Sequence, residues 1–242
     1  MTSFDSLVNA YHAGRLGYAN DIYNALIGYG LAPSHQVLDI GCGTGLASAP
    51  LIGNGYAVTG IDISEPMLAA AKADYPQGTW VHGRAEQLPF PDASFDVALS
   101  AQTFHHFDKE AALAQIVRVL RPRGIAAIWW KDLLGDDPVK QTRDAVASAM
   151  GFEPPVNTRA GFREFYAAPF SENALRVAPW STITTLSRFL QYERSRKIVV
   201  DRFGSAREEY LGQLEERLRE TFGAGDPLIP LSYMHYMYLA KK

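Results

Sequence analysis

Nine residues constrain this chain more than any others: Val37-Leu38-Asp39-Ile40-Gly41-Cys42-Gly43-Thr44-Gly45. Val37, Leu38 and Ile40 form the short apolar run that a strand buried on both faces requires. Glycines at 41, 43 and 45 then turn the chain with almost no side chains, which lets a ligand approach the backbone directly. Leu46-Ala47-Ser48-Ala49-Pro50-Leu51-Ile52 follows as the opening of a helix, whose first amides would point to the same place. Strand, glycine turn and helix make the nucleotide-binding corner of a doubly wound α/β sheet. The spacing is G-x-G-x-G, with Leu46 where the dinucleotide fingerprint has its third glycine, which argues against a NAD-dependent dehydrogenase. No G-x-x-x-x-G-K-[ST] loop for a triphosphate occurs.

A second strand, Tyr56-Ala57-Val58-Thr59-Gly60-Ile61-Asp62, ends on an acid. At the carboxyl end of the second strand, about 20 residues past the glycine turn, such a side chain is placed to accept the ribose hydroxyls of an adenosine. Its other reading is a helix N-cap, but Ser64, just ahead of Glu65-Pro66, fits that role better.

Five stretches now stand in order: Val37 to Gly45, Gly60 to Ser64, Gly83-Arg84-Ala85-Glu86-Gln87-Leu88-Pro89-Phe90, Ser94-Phe95-Asp96-Val97-Ala98-Leu99-Ser100, and Arg118-Val119-Leu120-Arg121-Pro122-Arg123-Gly124. Together they resemble the motifs of class I S-adenosylmethionine-dependent methyltransferases, and within them the small-molecule branch of ubiquinone/menaquinone-type and trans-aconitate-type enzymes. The likeness covers roughly the first 130 residues well and the remainder loosely. It implies a doubly wound, seven-stranded, mostly parallel α/β sheet with an antiparallel last strand. It also implies one domain over residues 1–242, with a small helical cap from approximately 1–20, 138–175 and 187–225.

The same resemblance implies S-adenosyl-L-methionine as cofactor and S-adenosyl-L-homocysteine as product. It puts Asp39, Gly41, Cys42, Gly43 and Gly45 in the cofactor turn, and Asp62, Ile63 and Met67 beside the adenosine. Arg84, Ala85 and Glu86 border the adenine, and Ser100, Ala101, Gln102 and His105 lie toward the methyl group. Upstream, Tyr11-His12-Ala13-Gly14-Arg15-Leu16-Gly17-Tyr18 matches an element that folds over the cofactor through Tyr11 and Arg15. A planar guanidinium at Arg15 suits the methionine carboxylate, although Arg15 also reads as a surface charge. Leu16 stands where the family has proline.

Elsewhere the patterning predicts a helix around Ile22, Leu26 and Ile27, a helix from Pro66 to Ala73, and a strand from Thr79 to Gly83. A fourth strand, Phe95 to Ser100, leads to Ala101-Gln102-Thr103-Phe104-His105-His106-Phe107. This exit lacks the [DN]-P-P-[FY] turn used on exocyclic amines and glutamine. His105 is the candidate general base, with a pKa near neutrality; one histidine of the pair also reads as structural. Ala111 to Leu120 is an amphipathic helix, and Ile125-Ala126-Ala127-Ile128-Trp129-Trp130 a fifth strand, after a Pro122-Arg123-Gly124 turn that tolerates Arg123 if only Gly124 requires positive φ. Trp129 and Trp130 point to opposite faces, one to a substrate cavity and one to the core. Tyr18, Trp129, Trp130 and Tyr233 are the expected substrate-lining residues.

Beyond Asp137 the expectation is helices at 139–150, 162–166, 189–203 and 207–222, with strands at 177–186 and 228–239. Asp132, Asp136 and Asp137 invite a metal, but no acid on the fourth strand joins them, so no metal is expected. A formal charge of −3 offers no general attraction to nucleic acid or anionic membrane. Cys42 is the sole cysteine, a small residue packed in its turn, and it points to a reducing cytoplasm. The first residues lack a signal peptide's regions and no apolar run approaches a membrane span.

The function expected is methyl transfer from S-adenosylmethionine to a small-molecule acceptor by in-line displacement, in a monomer or homodimer, with a base needed only where the acceptor loses a proton. The rivals are a non-methylating S-adenosylmethionine-binding protein of the same fold and a protein or RNA methyltransferase.

Overall fold

The computed structural model describes Ala10 and residues 13–153 and 162–242. Helix α1 (Asn20–Tyr29) leads into strand β1 (Gln36–Ile40), followed by α2 (Ala49–Gly53), β2 (Ala57–Asp62), α3 (Glu65–Asp74), β3 (Thr79–His82) and β4 (Phe95–Ala101). Next come α4 (Lys109–Val119), β5 (Leu120–Leu133), α5 (Pro138–Ala149), α6 (Phe162–Ala167) and β6 (Glu172–Thr185). Helices α7 (Leu186–Arg194), α8 (Lys197–Phe203) and α9 (Arg207–Phe222) then precede β7 (Leu228–Lys241).

The seven strands form one sheet in the order β3-β2-β1-β4-β5-β7-β6. The first five pair in parallel, with Val37 beside Val58 on one side and Val97 on the other. β7 runs antiparallel to β5 and β6. Bonds of Arg123 and Gly124 with Lys242, and of Leu134 with Ser232, mark the antiparallel register beside β5. The expected doubly wound α/β sheet with an antiparallel last strand is therefore present.

Two units make up the chain: a sheet unit of Gly17–Lys131, Thr158–Ala178 and His235–Lys242, and a helical unit of Met1–Leu16, Asp132–Asn157 and Pro179–Met234. In the sheet unit the period of two along β5 feeds two cores. Ile125, Ala127 and Trp129 join Ile22, Leu26, Val37 and Leu51 on one face. Ala126, Ile128 and Trp130 join Leu38, Leu113, Ile116 and Phe165 on the other. Such double burial is why these strands read as continuous apolar runs. In the helical unit Val139, Val146, Phe189, Tyr210, Leu214 and Leu218 gather in a third core. Among the described residues no helix is long and apolar enough to cross a membrane.

Several expectations need correcting. The helix after the glycine turn begins at Ala49 rather than Leu46, because Gly45 first turns back onto the Cys42 carbonyl at 2.9 Å and delays the helical ladder. The single helix expected over 189–203 is two, broken where the Ser195 hydroxyl bonds back to the Tyr192 carbonyl at 2.7 Å. β5 and β6 are both longer than expected, 14 residues each. Arg123, not Gly124, takes the positive φ, at 65°. Gly124 is needed for room instead, since a Cβ there would sit 2.9 Å from the Arg121 carbonyl. Asp137 is a helix cap, its carboxylate accepting from Val139 at 2.9 Å, Lys140 at 3.1 Å and Ser232 at 2.7 Å.

On β3, the indole of Trp80 lies in a slot floored by three glycines. A Cβ on Gly45, Gly60 or Gly78 would approach the ring to 2.7, 2.4 or 2.7 Å. The indole N–H is tied to the Tyr75 carbonyl at 3.0 Å, so the ring cannot easily swing aside. Gly60→Ala is therefore expected to destabilise the protein by about 1–3 kcal/mol in urea unfolding, and a Trp80→Leu partner to recover much of the loss. An unchanged midpoint in the single variant would show that the slot is not tight.

Candidate functional site

The turn after β1 folds as its glycines dictate, with φ of 71°, 54° and 78° at Gly41, Gly43 and Gly45. The amides of its three glycines and of Cys42 are committed within the protein. Gly41 and Cys42 donate to the Ile61 carbonyl at 2.8 and 3.1 Å, and Gly45 to that of Cys42 at 2.9 Å. Gly43 donates to Asp62 Oδ2 at 2.8 Å. The open side expected at these glycines is partly filled by neighbours. A Cβ on Gly41 would meet Thr103 Oγ1 at 2.7 Å and Phe107 Cζ at 2.9 Å, while Gly45 faces Trp80 and Tyr75. Thr103 also donates to the Ile40 carbonyl at 3.3 Å and pairs with the Ser100 hydroxyl at 2.8 Å. Thr103 and Phe107 thus seat the turn against the β4 exit. Sequence reasoning passed over both, and only their place in that exit hinted at it.

Two carboxylates flank the turn. Asp62, ending β2, also accepts from the Ser64 amide at 2.9 Å, while Ser64 itself caps α3 through Met67. Asp39 is completely buried. Ser48 donates to its Oδ2 at 2.7 Å, whereas its Oδ1 meets no donor among the described residues. Burial raises the Asp39 pKa to about 7, with Asp62's charge adding to the rise and the Ser48 bond opposing it. The turn therefore has the N–H groups of Gly41, Cys42, Gly43 and Gly45 spoken for and two carboxylates beside it, an arrangement that suits a cationic ligand better than a phosphate.

Around this centre, Met67 and Ala85 are buried and Ile63 is 55 % exposed. Burial, with Asp39 and Asp62 nearby, raises the Cys42 thiol well above its usual range, so it is an inert packed residue. Glu86 faces Arg84 at 3.4 Å and accepts the Asp108 amide at 3.0 Å, fixing the loop after β3 to the start of α4. At the β4 exit Ser100 and Ala101 are buried, and Gln102 takes a left-handed φ of 60°. Its amide and side chain bind the Trp129 and Lys131 carbonyls at 2.9 and 3.0 Å, which hold this strained residue in place.

The near-neutral pKa expected for His105 is corrected. Burial, followed by His106 and Lys109, pushes it down to about 4, so the ring stays neutral through the physiological range. Its Nδ1 is buried with no partner among the described residues.

Trp129 and Trp130 are both buried, at 0 and 2 % exposure, so each is core on its own face, contrary to the expected division. Tyr18 stands edge-on to Trp129 at 5.7 Å and 5.0 Å from the Lys131 ammonium. Lys131 and His235, which the sequence reading did not single out, are both buried in the sheet unit. Lys131 donates to the Gly17 carbonyl at 2.8 Å, and burial together with Lys131 lowers His235 to about 4. Arg15 and Tyr233 belong to the helical unit. There Arg15 lies 5.0 Å from the Tyr192 ring and Tyr233 stacks on Trp180 at 5.3 Å. Tyr11 lies outside the described residues. Among the described residues no three His, Cys, Asp or Glu side chains are grouped to hold a metal.

Comparison with known proteins agrees with this geometry. Residues 38–128 match the family model of a methyltransferase domain. An uncharacterised methyltransferase of Mycobacterium bovis is 29 % identical over 89 % of this chain and 85 % of its own length. An O-methyltransferase of Penicillium expansum is 38 % identical over 61 % of this chain and 59 % of its own. Among solved structures, a candidate type II methyltransferase from Anaeromyxobacter dehalogenans superposes with a TM-score of 0.74 at 23 % identity, covering 94 % of this chain and 97 % of that one. Residues 38–128 are thus similar to a methyltransferase domain, and the sheet topology is the Rossmann-like one of the structural neighbours.

Proposed function

We propose that the protein binds S-adenosyl-L-methionine at the β1 turn and transfers its methyl group to a small-molecule acceptor by in-line displacement. The observation that carries this reading is the pairing of Asp39 and Asp62 around a turn whose glycine and Cys42 amides are committed elsewhere. Such a site attracts a ligand with an ammonium and a sulfonium and repels a pyrophosphate. When bound, the cofactor supplies a methyl carbon already made electrophilic by positive sulfur.

The chain's own part is to bind, orient and exclude water. Asp62 takes the ribose hydroxyls at the end of β2, and Asp39 Oδ1 takes the ammonium of the methionine end. Ile63, Met67, Ala85 and Glu86 border the adenine, with Arg84 at the rim. Ser100, Ala101, Gln102 and His105 form the floor near the reacting methyl, with Tyr18 beside them. His105 is neutral but too weak a base at rest to drive proton removal, so the chemistry leans on positioning. The single cysteine, buried and inert, fits a reducing compartment such as the cytoplasm.

Asp62→Ala is expected to weaken S-adenosylhomocysteine binding on the order of 10- to 100-fold in calorimetry, the loss of hydrogen bonds to a charged acceptor. Unchanged affinity would remove Asp62 from the site.

A second expectation concerns protons. Asp39 is largely protonated below about pH 7 in the free protein, and a nearby cation favours the carboxylate. Binding of S-adenosylmethionine then releases a proton, and affinity rises with pH up to about 7. The binding enthalpy at a pH slightly below 7 should therefore depend on the buffer's ionisation enthalpy, and Asp39→Asn should abolish that dependence. The transfer itself is tested by release of S-adenosylhomocysteine on incubation with a panel of small hydroxy, amino, thiol and carboxylic acceptors.

A further inference from the structure

The segment between β3 and β4 carries Ala85 and Glu86, assigned above to the adenine, and it has little means of holding its own shape. Pro89 and Pro91 bring no N–H groups to any ladder. Its apolar side chains are drawn inward instead. Ala85 and Leu88 are buried with Leu113 and Ile116 of α4, and Phe90 packs against the same core. Phe90 also stands edge-on to Phe95 at 5.1 Å. Drawing Leu88 and Phe90 inward partly buries their carbonyls, which then need donors.

One side chain of α4 supplies both. Arg118 Nη1 donates to the Phe90 carbonyl at 2.8 Å, and Nη2 to that of Leu88 at 2.9 Å. Nη1 also reaches Asp92 Oδ1 at 2.8 Å, while Nη2 and Nε share Gln115 Oε1 at 2.8 and 3.2 Å. All five guanidinium N–H groups are therefore used. Gln115 Oε1 in turn accepts the Leu88 amide at 3.3 Å. The Asp92 side chain is 79 % exposed, so that ion pair is screened and adds little; the two carbonyls carry the weight. At the start of α4 the Asp108 amide holds Glu86, and past Asp92 the Ala93 and Ser94 amides bond the Arg118 and Val119 carbonyls at 3.1 and 2.8 Å. Over its 11 residues, about 16 Å of rise, α4 thus splints the segment from 86 to 94.

We propose that Arg118 is a positioning residue for the adenosine half of the cofactor, acting through the Leu88 and Phe90 carbonyls to set where Ala85 and Glu86 stand. That role rests on the cofactor reading given above. A planar fork serves two carbonyls and a side-chain amide at fixed spacing, which the point charge of a lysine does not. With the segment ordered beforehand, cofactor binding is spared the cost of ordering it; without the fork, binding bears that cost.

The full chain is titrated with S-adenosylhomocysteine by calorimetry, and amide exchange over residues 86–94 is followed by mass spectrometry with and without it. Arg118→Met is expected to bind on the order of tenfold more weakly, to exchange faster over 86–94 when free, and to regain the parent's protection when saturated. Arg118→Lys, with donors but no fork, should fall between the two. Gln115→Leu, which removes the acceptor at the root of the fork, should weaken binding about threefold, and Gln115→Glu, which keeps an acceptor there, should bind as the parent does. An arginine that only stabilised the fold would lower the melting temperature and leave the affinity alone. The role is overturned if a folded Arg118→Met binds as the parent does, or if saturation leaves 86–94 exchanging as in the free variant. Should Arg118→Met not fold, the two Gln115 variants decide, and equal affinities between them overturn it. A parent that binds no S-adenosylhomocysteine overturns the cofactor reading and this role together; a parent that binds, with Arg118→Met unaltered, overturns this role alone.

Discussion

The Asp62 carboxylate is the join on which the site depends. One oxygen holds the Gly43 amide from the turn after β1, and the other holds the Ser64 amide at the mouth of α3. A single side chain thereby fixes two loops from neighbouring strands. Because β1 and β2 are parallel and in register, with Ile40 beside Ile61, the two loops emerge at the same edge of the sheet. The sheet supplies rigidity through double burial, and the carboxylate converts that rigidity into a shaped turn.

What the turn then offers is decided by which backbone groups remain. In a phosphate-binding loop the amides are left outward. Here those of Gly41, Cys42, Gly43 and Gly45 are spent on Ile61, Cys42 and Asp62, and a buried acid, Asp39, sits underneath. Glycine spacing and electrostatic sign thus agree, although they are independent properties of the sequence. The same bias explains the inertness of Cys42, since two nearby acids and burial all oppose a thiolate.

The parts visible in the sequence were those with a local code. The apolar run of Val37 to Ile40, the glycines and the acid ending β2 each follow from chain geometry that neighbouring residues determine. The β5 alternation that splits Trp129 from Trp130 was equally local, but the depth of each ring was not, because cover comes from α1 on one face and from α4 and Phe165 on the other. Thr103 and Phe107 escaped notice because their partner, Gly41, is a residue with no side chain to signal a contact. The helical unit was least legible. Charged residues at helical spacing read as a solvated face, and only the convergence of three helices makes Glu193 and Arg143 interior groups. His105 shows the same limit, its basicity being set by burial and by His106 and Lys109 rather than by its own identity.

The glycine-floored slot under Trp80 has a consequence for how this protein can diverge. Positions 45, 60, 78 and 80 come from three separate segments, yet they form one unit of inheritance. A methyl group gained at any of the three glycines collides with the indole, and an indole lost first leaves a void over the turn after β1. Neither order of change gives a sound intermediate. Lineages keeping the tryptophan should keep all three glycines, and those that lost it should show the glycines drifting together.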